Sequence, residues 1–242
     1  MRHSIVLLHG FAGTRRAWDA VAASLDSERY LPLALDLPGH GDAAGADGPI
    51  TFAGCVAAVL AAAPERFTLG GYSMGARVAL HVALAAPERV ERLVLIAATP
   101  GIEDADERES RRRGDRALAD ELENVPFEDF IERWRTQPLF AGEPPVVAAT
   151  ARADHRRNRP PALAAALRGI GTGEMEPLWD RLGDLTMPVS LLVGDRDAKY
   201  LAIARRMAPL LPDGELVVLP GGHALALESP AAVAAALESS GG

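Results

Sequence analysis

Residues 67–80 read Phe-Thr-Leu-Gly-Gly-Tyr-Ser-Met-Gly-Ala-Arg-Val-Ala-Leu, and no other segment of the chain is as informative about its architecture. The pattern predicts a short strand, a sharp turn with Ser73 at its apex, and a helix. Gly71 and Gly75 flank the serine where a strained turn leaves no room for side chains. Such a turn exposes the hydroxyl at the N-terminus of a helix, whose dipole favours developing negative charge.

The composition limits the classes of function that the 242 residues can support. A hydrophobic content of 48% is enough for one large α/β domain, with or without an insertion. The net charge of −8 argues against nucleic acid or an anionic membrane as the main partner. Cys55 is the only cysteine, so it forms no intramolecular disulfide and is expected to be buried. The apolar run at residues 5–8 is too short for a signal peptide or a membrane span, which favours a cytoplasmic protein without membrane insertion.

Apolar runs that predict strands alternate with segments that predict helices. The strands are expected at residues 5–8, 31–35, 67–69, 90–97, 189–193 and 215–219. Helices are expected from Thr14 to about residue 25, from Thr51 to about residue 63, after Ser73, at about residues 201–210, and from about residue 230. This alternation is typical of an α/β fold with a mostly parallel, six-stranded, doubly wound sheet.

Residues 100–185 have a different texture from the rest of the chain. They lack strand-like runs, carry most of the arginines, and contain prolines at positions 126, 144, 145, 160 and 161. Prolines at these intervals predict several short helices. We therefore expect an α/β core at residues 1–99 and 186–242, interrupted by a helical cap insertion at residues 100–185.

Several predicted strands end on residues that are suited to catalysis. His9, Ser73, Asp197 and His223 each lie at or just beyond such an end, and the carboxyl ends of parallel strands share one edge of the sheet. The chain order Ser73, Asp197, His223 is the order of a Ser-Asp-His triad on an α/β-hydrolase sheet. Three residue types at matching strand ends are far less probable by chance than the serine turn alone.

Each of these residues also has an alternative interpretation. Ser73 could be an ordinary helix N-cap, and His223 a solvated loop histidine. Asp195 competes with Asp197 for the acid role; Asp197 is preferred because a residue beyond the turn can reach the last loop. His9 is expected to shape the oxyanion loop and not to react. No spacing of residues resembles a metal site.

The triad would work through proton transfer. Asp197 would hold the tautomer of His223 and stabilise its cation, while His223 takes the proton of Ser73. The backbone N–H groups of Met74 and Phe11 would form an oxyanion hole, in which each donor lowers the barrier by roughly 3 kcal/mol. This chemistry requires no cofactor.

The chain resembles the α/β-hydrolase superfamily and, within it, the 2-succinyl-6-hydroxy-2,4-cyclohexadiene-1-carboxylate synthases of the menaquinone pathway. The first two and the last of the matching stretches occur throughout the superfamily, whereas Arg77 and the central stretches are closer to this one family. The stretches are His9-Gly-Phe-Ala-Gly13, Asp36-Leu-Pro-Gly-His-Gly41, Gly71-Tyr-Ser-Met-Gly-Ala-Arg77, Trp134-Arg-Thr-Gln-Pro-Leu-Phe140, Leu167-Arg-Gly-Ile-Gly-Thr-Gly173, Gly194-Asp-Arg-Asp-Ala-Lys-Tyr200 and Gly222-His223.

This resemblance implies a lyase that eliminates pyruvate from a small substrate with three carboxylates. Such a substrate calls for fixed cations, and guanidinium binds carboxylate bidentately. The resemblance implies that substrate-binding residues are Arg77, Arg111, Arg156, Tyr72, Trp134 and Lys199. Arg111 has Arg108, Arg112 and Arg113 as neighbouring candidates, and Arg157 is an open alternative beside Arg156. A solvated helix face is the alternative for the arginines of the insertion, and core packing is the alternative for Trp134.

Other functions remain open at this stage. A serine carboxylesterase would use the same triad through an acyl-enzyme, and a ligand receptor could reuse the scaffold without catalysis. Three departures from the family pattern bear on this choice: the expected absence of the usual leading hairpin, Ala76 in place of a second glycine, and an apolar run at residues 224–227. A monomer or a weak homo-oligomer is expected.

Overall fold

The computed structural model describes residues 2–45 and 49–238. Within these ranges the chain forms six strands and ten α-helices. The strands are β1 (His3–Leu8), β2 (Tyr30–Leu35), β3 (Phe67–Tyr72), β4 (Val90–Ile96), β5 (Val189–Gly194) and β6 (Gly214–Leu219). The helices are α1 (Asp19–Ser24), α2 (Phe52–Ala62), α3 (Met74–Ala85), α4 (Ala105–Asn124), α5 (Phe127–Arg135), α6 (Pro145–His155), α7 (Pro160–Ile170), α8 (Ala198–Met207), α9 (Leu225–Glu228) and α10 (Pro230–Glu238).

All six strands pair in parallel in one sheet, in the order β2-β1-β3-β4-β5-β6. The chain runs from β1 to β2 on one side and then crosses to β3 on the other side of β1. The strand order therefore reverses at β1 and β3, where Leu8 is paired with Gly71. Ligand sites of open α/β sheets form beyond the carboxyl ends of the strands at such a reversal.

The inner strands β1, β3, β4 and β5 are largely buried on both faces, which explains their continuous apolar runs, whereas the edge strands β2 and β6 are partly exposed. Side chains alternate between the faces: Val6 and Leu8 of β1 contribute to one apolar cluster, and Ile5 and Leu7 to another. The first cluster includes residues of α2, α3 and α8, and the second includes residues of α1 and α10. The predicted six-stranded, parallel, doubly wound sheet is confirmed.

Helices α4 to α7 lie between β4 and β5, in the segment of residues 100–185 that was predicted as an insertion and keeps that name here. Proline marks the helix starts, since Pro126 precedes α5 while Pro145 and Pro160 are the first residues of α6 and α7. Helices α4, α5 and α7 contribute to an apolar cluster of their own, which includes Phe130, Leu163 and, from the loop after β1, Ala12.

Local differences from the predicted elements are small. The helix expected after Thr14 is a 3₁₀ turn, Arg15–Trp18, followed by the short α1, with the hydroxyl of Thr14 accepting from Arg16 N–H at the start. Helix α8 begins earlier than expected, because Asp197 caps it by accepting from Tyr200 N–H. Helix α9 was not predicted. None of the helices in the described part of the chain is long and apolar enough to cross a membrane.

Candidate active site

Ser73 lies in a strained turn between β3 and α3. Its φ of 53° and ψ of −108° fall in a backbone region that residues other than glycine rarely adopt. The flanking glycines are required sterically: a Cβ on Gly71 would lie 2.6 Å from Gly75 O, and a Cβ on Gly75 would collide with Leu8 O. The turn therefore holds the serine hydroxyl at the carboxyl edge of the sheet.

A hydrogen-bonded chain connects Ser73, His223 and Asp197. His223 Nε2 lies 3.1 Å from Ser73 Oγ, and His223 Nδ1 lies 2.7 Å from Asp197 Oδ2. His223 and Asp197 are both buried. Because the carboxylate accepts from Nδ1–H, Nε2 is left as the acceptor for the serine hydroxyl. This geometry is suited to removing a proton from Ser73.

The two aspartates after β5 have different partners. Asp197 Oδ2 faces His223, and its other oxygen accepts from Tyr200 N–H at 3.3 Å. Asp195 Oδ1 accepts instead from Gly221 N–H at 3.0 Å, in the loop that precedes His223. Asp197 is therefore the carboxylate in contact with the imidazole, while Asp195 holds the neighbouring loop.

The loop after β1 passes beside Ser73. A turn closes it, with Gly13 N–H donating to Gly10 O at 3.1 Å and Ala12 at a φ of 60°. His9 Nδ1–H donates to Gly10 O at 2.8 Å, and its Nε2 accepts from Leu37 N–H at 3.0 Å. Burial lowers the pKa of His9, so the ring stays neutral and serves as a fixed brace for this loop.

Two residues of the insertion hold the same loop from the other side. Asp154, on α6, accepts hydrogen bonds from both Thr14 N–H and the Thr14 hydroxyl. Asn158 Nδ2 donates to Ala12 O at 2.6 Å, and its Oδ1 accepts from Gly41 N–H at 2.9 Å. The insertion is thus bonded directly to the loops that follow β1 and β2.

A cavity of about 700 Å³ lies between the carboxyl edge of the sheet and the insertion. Ser73, His223 and Asp197 line it from the core, together with Phe11 and Met74. Met74 is the first residue of α3, where backbone N–H groups have no partner within the helix. The two residues of the predicted oxyanion hole therefore border the same space as the serine.

Arg77 lines the cavity one helical turn beyond Ser73. The residue is only 7% exposed, and burial lowers its pKa to about 10, so the guanidinium remains charged at neutral pH. Its Nη1 donates to Ile170 O at 2.6 Å, and it takes part in no ion pair among the described residues. A buried cation without a carboxylate partner is costly, which favours an anion as its ligand.

Four other expected substrate-binding residues also line the cavity. Arg111 lines the cavity from α4 with a side chain 43% exposed, and its Nε donates to Asp115 Oδ1 at 2.8 Å. Tyr72, Trp134 and Lys199 also line the cavity. Burial raises the pKa of Tyr72, and its ring centroid lies 5.4 Å from that of His223.

The expected position of Arg156 has to be corrected. It lies just after α6, outside the lining of the cavity, and its guanidinium donates two hydrogen bonds of 2.8 Å to Glu128 at the surface. The physical reason is the packing of α6 beside α5, which directs Asp154 inward to Thr14 and leaves the next arginine facing an exposed carboxylate.

Several cavity residues were not predicted from the sequence. The rings of Tyr200 and Phe140 lie 4.8 and 6.0 Å from His223, and Arg196 and Gln137 also line the cavity. Burial raises the pKa of Tyr200, while Arg77 and Arg111 act in the opposite direction. Tyr200 and Arg196 fall within the motif at residues 194–200, and Phe140 and Gln137 within that at 134–140, so the motifs were a usable signal. Across the described residues, no cluster of three or more potential metal ligands is found.

Comparison with known proteins agrees with this architecture. The model of the alpha/beta hydrolase family matches residues 5–236. A 2-succinyl-6-hydroxy-2,4-cyclohexadiene-1-carboxylate synthase from Klebsiella pneumoniae (strain 342) is 33% identical over 238 residues, which cover 96% of this chain and 91% of that protein.

Solved structures give the same relationship. MenH from S. aureus superposes with a TM-score of 0.92 and 30% identity over 97% of this chain and 91% of that chain. A thermophilic esterase from Thermogutta terrifontis superposes with a TM-score of 0.78 and 25% identity, over 97% and 88% of the two chains. The chain therefore belongs to the alpha/beta hydrolase family and, within it, is related over nearly its whole length to the 2-succinyl-6-hydroxy-2,4-cyclohexadiene-1-carboxylate synthases.

Proposed function

We propose that this protein is a lyase of menaquinone biosynthesis. It would eliminate pyruvate from 2-succinyl-5-enolpyruvyl-6-hydroxy-3-cyclohexene-1-carboxylate to give 2-succinyl-6-hydroxy-2,4-cyclohexadiene-1-carboxylate. The names of its relatives support the pathway. The observation that carries the proposal is Arg77: a buried guanidinium without an ion-pair partner among the described residues, in the same cavity as Ser73.

In this proposal Ser73 acts as a base and not as a nucleophile. Asp197 holds Nδ1–H of His223, and His223 Nε2 takes the serine proton as Ser73 Oγ removes a proton from the substrate ring. The electron pair of the broken C2–H bond forms the C2–C3 double bond, the former C3–C4 pair moves to C4–C5, and the bond from C5 to the enolpyruvyl oxygen breaks. The departing enolpyruvate takes up the proton held by His223 and so becomes pyruvate. The N–H groups of Met74 and Phe11 would stabilise the charge that develops in between.

The cations of the cavity would bind the carboxylates of the substrate. Arg77, Arg111 and Lys199 supply three positive charges at different points of the lining, and Tyr72 and Trp134 supply aromatic walls. A planar guanidinium accepts a carboxylate in two parallel hydrogen bonds and so orients the ring above Ser73. We further propose that residues 100–185 serve as the cap of this site, over a core of residues 1–99 and 186–242.

A carboxylesterase is the second candidate, because the arrangement of Ser73, His223 and Asp197 would equally support an acyl-enzyme. The likeness to the Thermogutta terrifontis esterase favours this possibility. The arginines of the cavity argue against it, since a neutral ester gives a buried guanidinium nothing to pair with. A receptor without catalysis fits less well, because such a role gives no reason for a hydrogen-bonded serine, imidazole and carboxylate.

The test is to supply the succinyl-enolpyruvyl substrate and to measure pyruvate release. We expect release by the wild-type protein, its loss in Ser73→Ala, and normal release in the control Ser24→Ala, which alters an exposed serine of α1. Short p-nitrophenyl esters serve as competing substrates. Rapid ester cleavage that requires Ser73, without any pyruvate release, would establish the esterase and reject the lyase.

A further inference from the structure

Two carboxylates hold the loop that carries His223. Gly221 N–H donates to Asp195 Oδ1 at 3.0 Å, and Gly222 N–H donates to Glu228 Oε1 at 2.9 Å. Both donors lie within two residues of His223, and the acceptors come from opposite sides, one after β5 and the other on α9. The backbone that sets the position of the imidazole is therefore fixed by side chains outside the Ser73-His223-Asp197 chain.

The side chain of Glu228 is buried against this loop. Its side chain is only 5% exposed, and its second oxygen, Oε2, accepts from Arg196 Nη2. Arg196 N–H also donates to Gly221 O at 2.9 Å, so this residue contacts the loop through its backbone as well. The side chain of Arg196 lines the cavity. A single carboxylate thus joins the backbone next to His223 to a cation that faces the cavity.

The position of the His223 ring is tightly constrained because both of its nitrogens are within hydrogen-bond distance of a partner. Nδ1 lies 2.7 Å from Asp197 and Nε2 lies 3.1 Å from Ser73, so a shift of the loop lengthens at least one of these contacts. A displacement of about 1 Å in a catalytic group can cost on the order of 100-fold in rate. Of the two carboxylate contacts to this loop, the one between Glu228 and Gly222 N–H is nearer to His223 in the sequence.

We propose that Glu228 is a positioning residue for His223. In the same proposal Arg196 binds a carboxylate of the substrate in the cavity and is connected to the loop of His223 through its ion pair with Glu228. This rests on the proposed function, in which His223 takes a proton. Arg196 has five N–H donors and uses one for Glu228, so the others can bind a substrate carboxylate without breaking the pair.

Steady-state kinetics of pyruvate release separate the two roles. We expect Glu228→Ala to lower kcat by about 10- to 100-fold with little change in KM. Glu228→Gln keeps an oxygen for Gly222 N–H and should recover most of kcat. Arg196→Gln should raise KM by about tenfold or more, since it removes a charged hydrogen bond. The matched control is Arg181→Gln, which breaks an exposed pair with Asp184 and should leave both constants unchanged.

An NMR measurement tests the positioning without any turnover. The Nδ1–H proton of His223 reports its hydrogen bond to Asp197, and we expect its resonance to shift in Glu228→Ala and to return in Glu228→Gln. Should Glu228→Ala fail to fold, Glu228→Asp withdraws the acceptor from Gly222 while keeping the charge, and the same shift is expected. If neither kcat nor this resonance changes in a folded variant, the positioning role is overturned.

The two proposals fail in different ways. A wild-type protein that releases no pyruvate rejects the lyase, while the His223 resonance still decides whether Glu228 positions the ring. An active lyase in which Arg196→Gln leaves KM unchanged rejects the carboxylate contact alone.

Discussion

Arg77 Nη1 donates to the carbonyl oxygen of Ile170 at 2.6 Å, and this bond joins the helix that follows Ser73 to the last residue of α7 in the insertion. One nitrogen of the guanidinium is thus committed to the backbone. The remaining N–H donors are left for the cavity that the side chain lines. Arg77 is therefore positioned by the insertion before any ligand binds.

Replacing Arg77 tests its role as an anion ligand. A hydrogen bond to a charged group contributes about 1.5–3 kcal/mol, so we expect Arg77→Ala to lower kcat/KM for the triply charged substrate by about 10- to 150-fold. Arg77→Lys keeps the charge but loses bidentate geometry and should recover only part of this loss. Circular dichroism confirms that the variants are folded, and an unchanged kcat/KM in Arg77→Ala would remove the residue from the site.

Arg111 and Arg156 form a matched pair of arginines in the insertion. Arg111 lines the cavity, whereas Arg156 pairs with Glu128 outside it. We expect Arg111→Ala to lower kcat/KM by at least about tenfold. Arg156→Ala should change it by less than about twofold, because exposed ion pairs contribute little. Measuring kcat/KM for the two variants side by side makes the comparison. Equal losses of kcat/KM would contradict the conclusion that Arg111 faces the substrate and Arg156 does not.

The glycine at the start of α3 is predicted to be indispensable for folding. A Cβ at Gly75 would collide with the carbonyl of Leu8, which is backbone at the carboxyl end of the inner strand β1 and cannot move aside. We expect Gly75→Ala to be unfolded or insoluble. Gly114→Ala is the control, since a Cβ there meets nothing within 4 Å in α4, and it should stabilise the protein by about 0.5–1 kcal/mol in urea unfolding. A normally stable Gly75→Ala variant would contradict the turn geometry.

The buried neutral ring of His155 leads us to expect that the free energy of unfolding falls in acid. Burial, followed by the charges of Arg135, Arg152 and Arg156, lowers its pKa to about 3. The unfolded chain takes up this proton near pH 6.5, so between about pH 6.5 and 3 the unfolded state binds more protons. The free energy of unfolding should therefore fall with decreasing pH, with a contribution from His155 approaching about 1.4 kcal/mol per pH unit.

Urea unfolding across this pH range measures that slope. His155→Gln should flatten it, whereas Ser24→Ala, which alters an exposed serine and removes no titratable group, should leave it as in the wild type. His9 and His40 also have lowered pKa values, so part of the slope is expected to persist in His155→Gln. Identical slopes in the wild type and His155→Gln would contradict the buried neutral state of this ring.

The sheet was predictable because its signals are local. An apolar run such as residues 5–8 of β1 has few alternatives to a strand buried on both faces. The turn at Ser73 was equally accessible, since Gly71 and Gly75 are demanded by backbone contacts within a few residues. Ser73, Asp197 and His223 could be grouped from the chain alone because parallel strands bring their carboxyl ends to one edge.

The insertion was less predictable because its contacts are between helices. Whether Arg156 faces the cavity depends on how α6 packs on α5 and on the loop at Thr14, and no motif within α6 encodes this. The same holds for Glu228, whose proposed role depends on the hydrogen bond that its side chain accepts from Gly222 N–H. The apolar sequence of residues 224–227, which lies between the two, does not suggest this contact.

The bonds from Asp154 and Asn158 to the loop after β1 change what movement of the insertion would mean. Lifting α6 away would break the contacts to Thr14, Ala12 and Gly41 together. The same loop carries Phe11, the proposed oxyanion donor. Moving α6 away from the core would then also release the loop that positions Phe11, so we expect the proposed oxyanion hole to be intact only while these hydrogen bonds hold.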